Sequence, residues 1–391
     1  MHPTARMSSI PKSGIREIFD LATAKRGVIN LGIGEPDFDT PKFIRDSAKR
    51  AIDAGYHKYT TNAGLIELRN EISKKLKREN GIDSDPKKEI IITSGATQAI
   101  FVAMHCLLNE GDEALIPSPL FVAYSQSAKI AGAVPVEVPM SEKNDYTLDV
   151  ETLEKKITKR TKLLVLNSPC NPSGVVYDRK SLEQACELAE RHDLYVISDE
   201  IYEKFLYDGA AHFSPASMHE FKNRVITING FSKTFAMTGW RLGYAAASGE
   251  VVSAMTRYNM YNAVCPVSVA QMAGTEALRG SLSFFRPILK RYARMRSVML
   301  DHLDELGLKC AKPQGAFYAF PSISSITRDS LSYAKKLLSE EKVATIPGSA
   351  FGAAGEGHLR LSYSVSQEEL NRGMRKIAKF NKRYRSQPLL H

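Results

Sequence analysis

The side chain best placed for covalent chemistry in this 391-residue sequence is Lys233. It stands in the loop Asn229-Gly-Phe-Ser-Lys-Thr, after the β-branched run that begins at Ile226, and Ser232 and Arg241 flank it. A lysine amine at a strand end, beside a hydroxyl and a guanidinium, suits a covalent imine site that also holds an anion. Taken alone, such a lysine is more often a solvated loop residue. The rest of the chain must therefore supply the other parts of an imine site.

Two further polar segments follow predicted strands. Ser94-Gly-Ala-Thr-Gln98 comes after the strand-like residues 90–93 and opens a predicted helix, whose free N–H groups suit an anion. Asp199 comes after the apolar run 194–198, where a carboxylate could meet a buried cation. An ordinary capped helix start explains each segment about as well when it is taken alone.

A proline-rich loop and a lone arginine complete the set. Asn167-Ser-Pro-Cys-Asn-Pro-Ser-Gly174 follows another predicted strand, and its prolines and asparagines predict a rigid loop or simply a structural turn. Arg360 lies in the apolar run His358-Leu-Arg-Leu-Ser. Because an unpaired buried charge is costly, Arg360 needs a partner, and an internal salt bridge is the ordinary alternative to a ligand.

The order of the predicted elements indicates an α/β fold. From residue 89 short apolar strands alternate with helices, which predicts a mostly parallel sheet covered by helices on both faces. Beyond residue 250 the alternation stops, which predicts a smaller α+β domain. We expect a segment 1–40 that packs with the small domain, a large domain 41–290 and a small domain 291–391. Ligands of such sheets gather where the strands end, so the polar segments above should meet there.

Composition narrows the class of protein. The formal net charge is +10, but basic and acidic residues are interleaved and no nucleic-acid motif accompanies them, so we expect no nucleic-acid partner. The five cysteines are scattered without C-x-x-C spacing, which argues against a disulfide framework or a metal site and favours a reducing compartment. The apolar run 99–108 is too short to span a bilayer, and residues 1–10 lack the apolar core of a secretory signal. We therefore expect a cytoplasmic protein with no membrane partner.

In combination with the motifs at Gly34 and Tyr59, these segments resemble a known family. The chain is similar to class I/II aminotransferases with the fold-type-I pyridoxal 5'-phosphate (PLP) architecture, and most of all to the subgroup of aspartate and aromatic aminotransferases. The matching motifs, which run in order through nearly the whole chain, are Gly34-Glu-Pro-Asp-Phe, Tyr59-Thr-Thr-Asn-Ala-Gly, Ser94-Gly-Ala-Thr, Asn167-Ser-Pro-Cys-Asn-Pro-Ser-Gly, Ser198-Asp-Glu-Ile-Tyr, Phe231-Ser-Lys-Thr with Gly239-Trp-Arg, and Arg360-Leu-Ser.

The resemblance implies a role for each matching position. Lys233 would form the Schiff base with PLP and move the substrate proton, and Asp199 would keep the pyridine nitrogen protonated. Tyr202 would donate to the phenolic oxygen and, with Lys233 and Asp199, complete the catalytic set. The cofactor-binding residues would be Tyr59, Gly95, Ala96, Thr97, Phe121, Asn171, Asp199, Tyr202, Ser232, Lys233 and Arg241. Within that set, Phe121 would stack on the ring and Tyr59 would reach the phosphate of a neighbouring subunit, which predicts a homodimer. The substrate-binding residues would be Gly34, Asn171 and Arg360.

The implied reaction is a ping-pong transfer of an amino group from an L-amino acid, aspartate or aromatic, to a 2-oxo acid such as 2-oxoglutarate. Thr97 stands where some aspartate-specific relatives carry a lysine, which weakens a pure aspartate assignment. Tyr258, Tyr261 and Asn262 lie where the resemblance places the side-chain pocket and the partner's wall, so an aromatic-tolerant pocket is plausible.

Other function classes are less well supported by the sequence. The main alternative is a PLP-dependent carbon–sulfur lyase, a cyclopropane-forming synthase or another elimination enzyme on the same fold. A PLP-binding regulator would need a DNA-binding region, which the sequence does not show. A nucleotide-binding protein would need glycine spacings that are missing around Lys233.

Overall fold

A seven-stranded sheet forms the centre of the computed structural model, which describes residues 4–8, 10–11 and 14–386. Its strands are β2 (Ile90–Thr93), β3 (Glu113–Ser118), β4 (Val134–Pro139), β5 (Thr161–Asn167), β6 (Tyr195–Asp199), β7 (Val225–Gly230) and β8 (Gly243–Ala246). They lie in the order β2-β8-β7-β6-β5-β3-β4, and β8 runs antiparallel to both of its neighbours. The other neighbouring pairs are parallel, as the alternation of strands and helices predicts.

Successive residues of the strands bury their side chains on opposite faces of this sheet. In β5, Leu163 and Val165 belong to one apolar core and Leu164 and Leu166 to another. All four are buried almost completely. Strands buried on both faces read as continuous apolar runs, and this explains why the sequence lacks alternation there.

Helices supply the other half of both cores. The helices of the described residues are α1 (Ala5–Ser8), α2 (Gly14–Thr23), α3 (Lys42–Asp53), α4 (Ile66–Lys75), α5 (Ala96–Leu107), α6 (Ala123–Ile130), α7 (Val150–Glu154), α8 (Arg179–Arg191), α9 (Gly249–Asn262), α10 (Ser268–Arg279), α11 (Phe285–Glu305), α12 (Ser330–Glu341) and α13 (Gln367–Ser386). Helices α5 and α9 contribute to the core that contains Leu163, whereas α4, α8 and α10 contribute to the one that contains Leu164.

Two small sheets accompany the central one. One has the order β11 (Ile346–Pro347), β12 (Leu359–Ser362), β9 (Tyr318–Ala319), and its pairs are antiparallel. The other pairs β1 (Ile29–Asn30) in parallel with β10 (Val343–Ala344). The early chain thus pairs with a late strand. The packing of segment 1–40 with the small domain remains a prediction. The domain limits at residues 40 and 290 remain predictions.

The predicted fold class is confirmed. Helix α4 ends at Lys75, and the chain continues as a π-helical turn, Leu76–Asn80. Within the described part of the chain, every helix is too short or too polar to cross a bilayer. The parts of the predicted N-terminal segment at residues 1–3, 9 and 12–13 lie outside the described residues.

Candidate active site

A cavity of about 350 Å³ lies at the carboxyl ends of the central strands and reaches the small sheets. It collects most of the residues that the sequence singles out. The predicted site residues that line it are Gly34, Ala96, Thr97, Phe121, Asn171, Asp199, Tyr202, Ser232, Lys233, Arg241 and Arg360. Gly95, the remaining predicted site residue of the Ser94 segment, lies against the guanidinium of Arg241. Parallel strands end at one edge of a sheet, so distant segments of the chain meet there.

The amine of Lys233 lies inside this cavity. Its Nζ donates a hydrogen bond to the carbonyl oxygen of Gly34 at 2.6 Å and lies 5.5 Å from the centre of the Tyr202 ring. Burial lowers the pKa of Lys233 to about 8, and the nearby positive charge of Arg360 acts in the same direction. A lysine with a lowered pKa is neutral, and therefore nucleophilic, in a larger fraction of molecules near neutral pH.

Asp199 ends β6 and faces the same cavity. Its carboxylate is 3% exposed and accepts hydrogen bonds from the Tyr124 hydroxyl at 2.8 Å and from the backbone N–H of Ile201 at 3.2 Å. Burial raises the pKa of Asp199 to about 6, although the hydrogen bond from Tyr124 opposes this shift. A buried carboxylate with two donors but no ion pair among the described residues is suited to a cationic ligand atom.

The start of α5 forms a cradle for an anion. Gly95 precedes the helix with φ of +84°, and a Cβ at this position would lie 2.5 Å from Nη2 of Arg241. Arg241 itself has φ of +53°, an unusual value for a residue with a side chain, and its Nη1 donates to the carbonyl oxygen of Thr238 at 2.8 Å. Ala96 and Thr97 at the start of the helix, the guanidinium-bearing Arg241 and Ser232 all line the cavity, and Gly95 lies against the Arg241 guanidinium.

Arg360, in β12, also lines the cavity. Its side chain donates from Nη1 to Oδ1 of Asn171 at 3.0 Å and from Nη2 to the carbonyl oxygen of Gly32 at 2.7 Å. Arg360 is 3% exposed, its Nε has no hydrogen-bond partner, and no carboxylate pairs with it within the described residues. The ordinary alternative of an internal salt bridge is therefore not found there. A buried guanidinium without a counter-ion is a receptor for a carboxylate.

The loop after β5 is fixed by its own side chains. Asn167 accepts a hydrogen bond from the backbone N–H of Asn171 at 2.9 Å and donates from Nδ2 to the carbonyl oxygen of Asp199 at 3.0 Å. The peptide bonds before Pro169 and Pro172 are cis. This arrangement holds the amide of Asn171 in the cavity wall, where it contacts Arg360.

Several residues of this site were not found by sequence reasoning. Tyr124 follows Phe121 by three residues, and the centres of the two rings are 5.7 Å apart. That spacing, about one helical turn, is the sequence feature that could have placed Tyr124 beside Phe121. Tyr318 carries a hydroxyl in an apolar strand, the same kind of signal that marks Arg360. Ile18 and Phe19 of α2 give the cavity an apolar wall that no motif indicated.

Four predicted residues lie away from this cavity. Tyr59 and Tyr261 are 85% and 86% exposed, and Asn262 is also exposed. Tyr258 packs against the ring of His105, with ring centres 5.3 Å apart. Within the described residues of one chain, none of the four lines the site. Their assignment to a partner's site remains a prediction.

One group of potential metal ligands lies outside this cavity. Glu200, Glu203 and His212 bring ligand atoms within 4.8 Å of one another. The ammonium of Lys75 already pairs with Glu203, and the hydroxyl of Ser214 donates to Glu200 at 2.6 Å. These contacts explain how the two buried carboxylates are stabilised without a metal ion. The absence of a bound metal remains a prediction.

Comparison with known proteins identifies the class. The family described as "Aminotransferase class I and II" matches residues 26–377, and the chain belongs to this family. It is 47% identical to the aspartate aminotransferase of Pyrococcus abyssi, across 96% of this chain and 97% of that one. It is 46% identical to aromatic-amino-acid aminotransferase 2 of Thermococcus litoralis, with the same coverage. The structure of Thermus thermophilus aspartate aminotransferase with maleate superposes with a TM-score of 0.93 at 39% identity, covering 97% of this chain and 99% of that one.

The protein is therefore an aminotransferase of a PLP-dependent class, as the resemblance implied. None of these matches supports the alternative of a carbon–sulfur lyase or another elimination enzyme.

Proposed function

We propose that this aminotransferase binds PLP in the cavity around Lys233 and transfers amino groups between an aspartate or aromatic L-amino acid and a 2-oxo acid such as 2-oxoglutarate. One observation carries the proposal: a lysine amine, a buried carboxylate and a buried guanidinium without a counter-ion face one cavity. These groups are Lys233, Asp199 and Arg360. Together they can hold an aldehyde, a protonated ring nitrogen and a substrate carboxylate.

The residues of the cavity fit PLP. At Gly95 there is no room for a Cβ beside Arg241. A backbone without a side chain at this point can approach a phosphate closely. Asp199 is desolvated without a counter-ion, which suits a pyridinium nitrogen. Phe121 offers a ring face, and Asn171 and Tyr202 offer donors to a phenolic oxygen.

PLP, when bound, would supply an electron sink for the electron pair that remains when the Cα–H bond of the substrate breaks. Arg360 binds the substrate carboxylate and fixes the direction of that bond, and the amide of Asn171 steadies the guanidinium at 3.0 Å. The amine of Lys233, which lies in the same cavity, would take the proton from Cα and later return one. Its lowered pKa, about 8, suits both directions of transfer near neutral pH.

The charged and apolar residues that line the cavity indicate which amino acids it can accept. Its cations within the described residues are Lys233, Arg241 and Arg360, and each already has a role. A dicarboxylic substrate would need a second cation from elsewhere, whereas Ile18 and Phe19 offer contacts to a large apolar side chain. The lining thus supports activity with aromatic amino acids, and the partner subunit is the source we propose for a second cation.

We also propose a homodimer with shared active sites. The exposed apolar residues Tyr56, Tyr59, Tyr261, Val264 and Val267 come from two chain segments. These segments touch, because Asn62 donates from Nδ2 to the carbonyl oxygen of Val264 at 2.7 Å. Clustered exposed apolar side chains are typical of protein interfaces. Sedimentation equilibrium should give about twice the chain mass, and a monomer at micromolar concentration would contradict this part of the proposal.

A cytoplasmic location is part of the proposal as well. It is supported by the five cysteines, which are all free.

The decisive experiment is spectroscopic. The purified protein reconstituted with PLP should absorb in the visible and near-ultraviolet range, and borohydride should abolish the band and fix the cofactor to Lys233. Lys233→Ala should lose the covalent attachment, whereas the control Lys74→Ala, at an exposed ion pair with Glu71, should keep it. Attachment that survives in Lys233→Ala would overturn the proposed function.

A further inference from the structure

The hydroxyl groups of Tyr202 and Tyr318 lie 2.8 Å apart in the wall of the cavity. Both side chains are buried, and their rings meet edge to face with centres 5.7 Å apart. Tyr202 follows β6 of the central sheet, whereas Tyr318 lies in β9 of a small sheet. The proposed function uses Tyr202 but leaves Tyr318 without a role.

The direction of this hydrogen bond follows from proton counting. A tyrosine hydroxyl carries one proton, so it can donate only one hydrogen bond. If Tyr202 donates to the phenolic oxygen of PLP, it has no proton left for Tyr318. The contact at 2.8 Å then requires Tyr318 to donate and Tyr202 to accept. A donor that itself accepts a hydrogen bond becomes a stronger donor, because the two bonds polarise each other.

The surroundings hold Tyr318 in this position. The guanidinium of Arg360 lies over its ring, 4.4 Å from the centre, and a Cβ on Gly34 would lie 3.2 Å from its hydroxyl. The ring is therefore clamped between the substrate side of the cavity and the backbone of the loop at Gly34.

Four charged groups face the tyrosine pair. They are Arg360, Lys233, Glu35 and Asp199. None of them accepts or donates a hydrogen bond at either hydroxyl within the described residues, so the tyrosines are each other's partner.

We propose that Tyr318 is a positioning residue, which donates to the Tyr202 hydroxyl and so aims and strengthens the hydrogen bond of Tyr202 to the cofactor. The inference rests on the proposed function, since it requires PLP in the cavity. The inference adds that a residue of the small sheet, which also carries Arg360, influences the hydrogen bond to the phenolic oxygen of the cofactor.

The test is a spectrophotometric pH titration of the PLP-loaded enzyme. The absorbance change reports the proton on the nitrogen that joins the cofactor to Lys233. A strong donor at the phenolic oxygen stabilises negative charge there and favours loss of that proton. Tyr318→Phe removes only the hydroxyl, so the pH midpoint should rise by about 0.5 to 1 unit, the size of one hydrogen bond between neutral groups.

Three variants make the outcome specific. Tyr202→Phe should raise the midpoint at least as far, and adding Tyr318→Phe to it should shift the midpoint no further. Tyr207→Phe is the matched control, because its buried hydroxyl donates to the carbonyl oxygen of Ala316 and lies outside the cavity lining. It should leave the midpoint in place.

An unchanged or lowered midpoint in Tyr318→Phe would overturn the inference. It would also be overturned if Tyr318→Phe shifted the midpoint equally in the wild-type and in the Tyr202→Phe background. The proposed function is judged separately, by the loss of covalent PLP in Lys233→Ala. If PLP binds through Lys233 and the midpoint of Tyr318→Phe does not move, only the role of Tyr318 is refuted.

Discussion

Asp199→Asn should stabilise the cofactor-free protein while it disables the enzyme. Asp199 is buried, and its pKa is raised to about 6 from 3.8, chiefly by desolvation. A raised carboxylate pKa means that the folded protein binds the proton more tightly than the unfolded chain does. The stability from this group is therefore full below about pH 4 and declines as the pH rises towards 6.

The size of the expected change in stability follows from the raised pKa of Asp199. Ionising Asp199 in the folded protein costs about 3 kcal/mol at pH 7 and roughly 1.5 kcal/mol at pH 5, relative to the unfolded chain. Asparagine keeps a carbonyl oxygen for the hydroxyl of Tyr124 but carries no charge. The free energy of unfolding of the cofactor-free variant should therefore exceed that of the wild type by about 1 to 3 kcal/mol at pH 7.

Urea unfolding of both cofactor-free proteins, between pH 5 and pH 8, measures this difference. The advantage of the variant should grow by about 1 kcal/mol from pH 5 to pH 7 and then stay level. With PLP bound, kcat should fall by at least about 100-fold, because the ring nitrogen loses its anionic partner. A variant that is less stable than the wild type at pH 7, or whose difference does not depend on pH, would refute the reasoning.

Four other perturbations test separate parts of the site. Gly95→Ala should weaken PLP affinity by about 10-fold or more, since its Cβ would meet Arg241 at 2.5 Å and φ is +84°; an unchanged affinity in an absorbance titration would contradict the cradle. Arg360→Lys should raise KM for every amino acid by about 10- to 100-fold while the PLP spectrum stays the same, and a spectrum that changes instead would assign Arg360 to the cofactor. Phe19→Ala should lower kcat/KM for phenylalanine by about 10-fold but leave aspartate unaffected, and equal losses for both would argue against an aromatic subsite on α2. The rate of PLP attachment should rise with pH and level off above about pH 8, where Lys233 is neutral, and a rate independent of pH would contradict its lowered pKa.

Much of the fold was predictable because local signals agree with it. Short apolar runs such as residues 163–166 can be buried on both faces only in a sheet covered by helices, and their alternation with helices predicts parallel strands. The antiparallel direction of β8, residues 243–246, has no local signal, because it depends on pairing with β2 and β7.

The candidate site residues that meet in the cavity were predictable for a different reason. Asp199 and Arg360 each combine an ionisable side chain with apolar sequence neighbours, an arrangement that is costly unless it serves a ligand or an ion pair, whereas Lys233 stands in a polar loop and stood out by its place in the order of motifs. Spacing and order therefore identified them from sequence. The partners that tune them were less visible, since Tyr124 and Tyr318 look like ordinary aromatic residues until the fold places their hydroxyl groups.

The sequence by itself determined the class of fold, the anionic and cationic groups of the site and the lysine at its centre, because each depends on local composition or on motif order. Only the tertiary structure decided that Arg360 has no counter-ion among the described residues and that Tyr318 reaches Tyr202 from another sheet. The contacts Tyr202–Tyr318 and Arg360–Asn171 each join side chains more than a hundred residues apart in the chain, so they depend on how the separate sheets meet around one cavity.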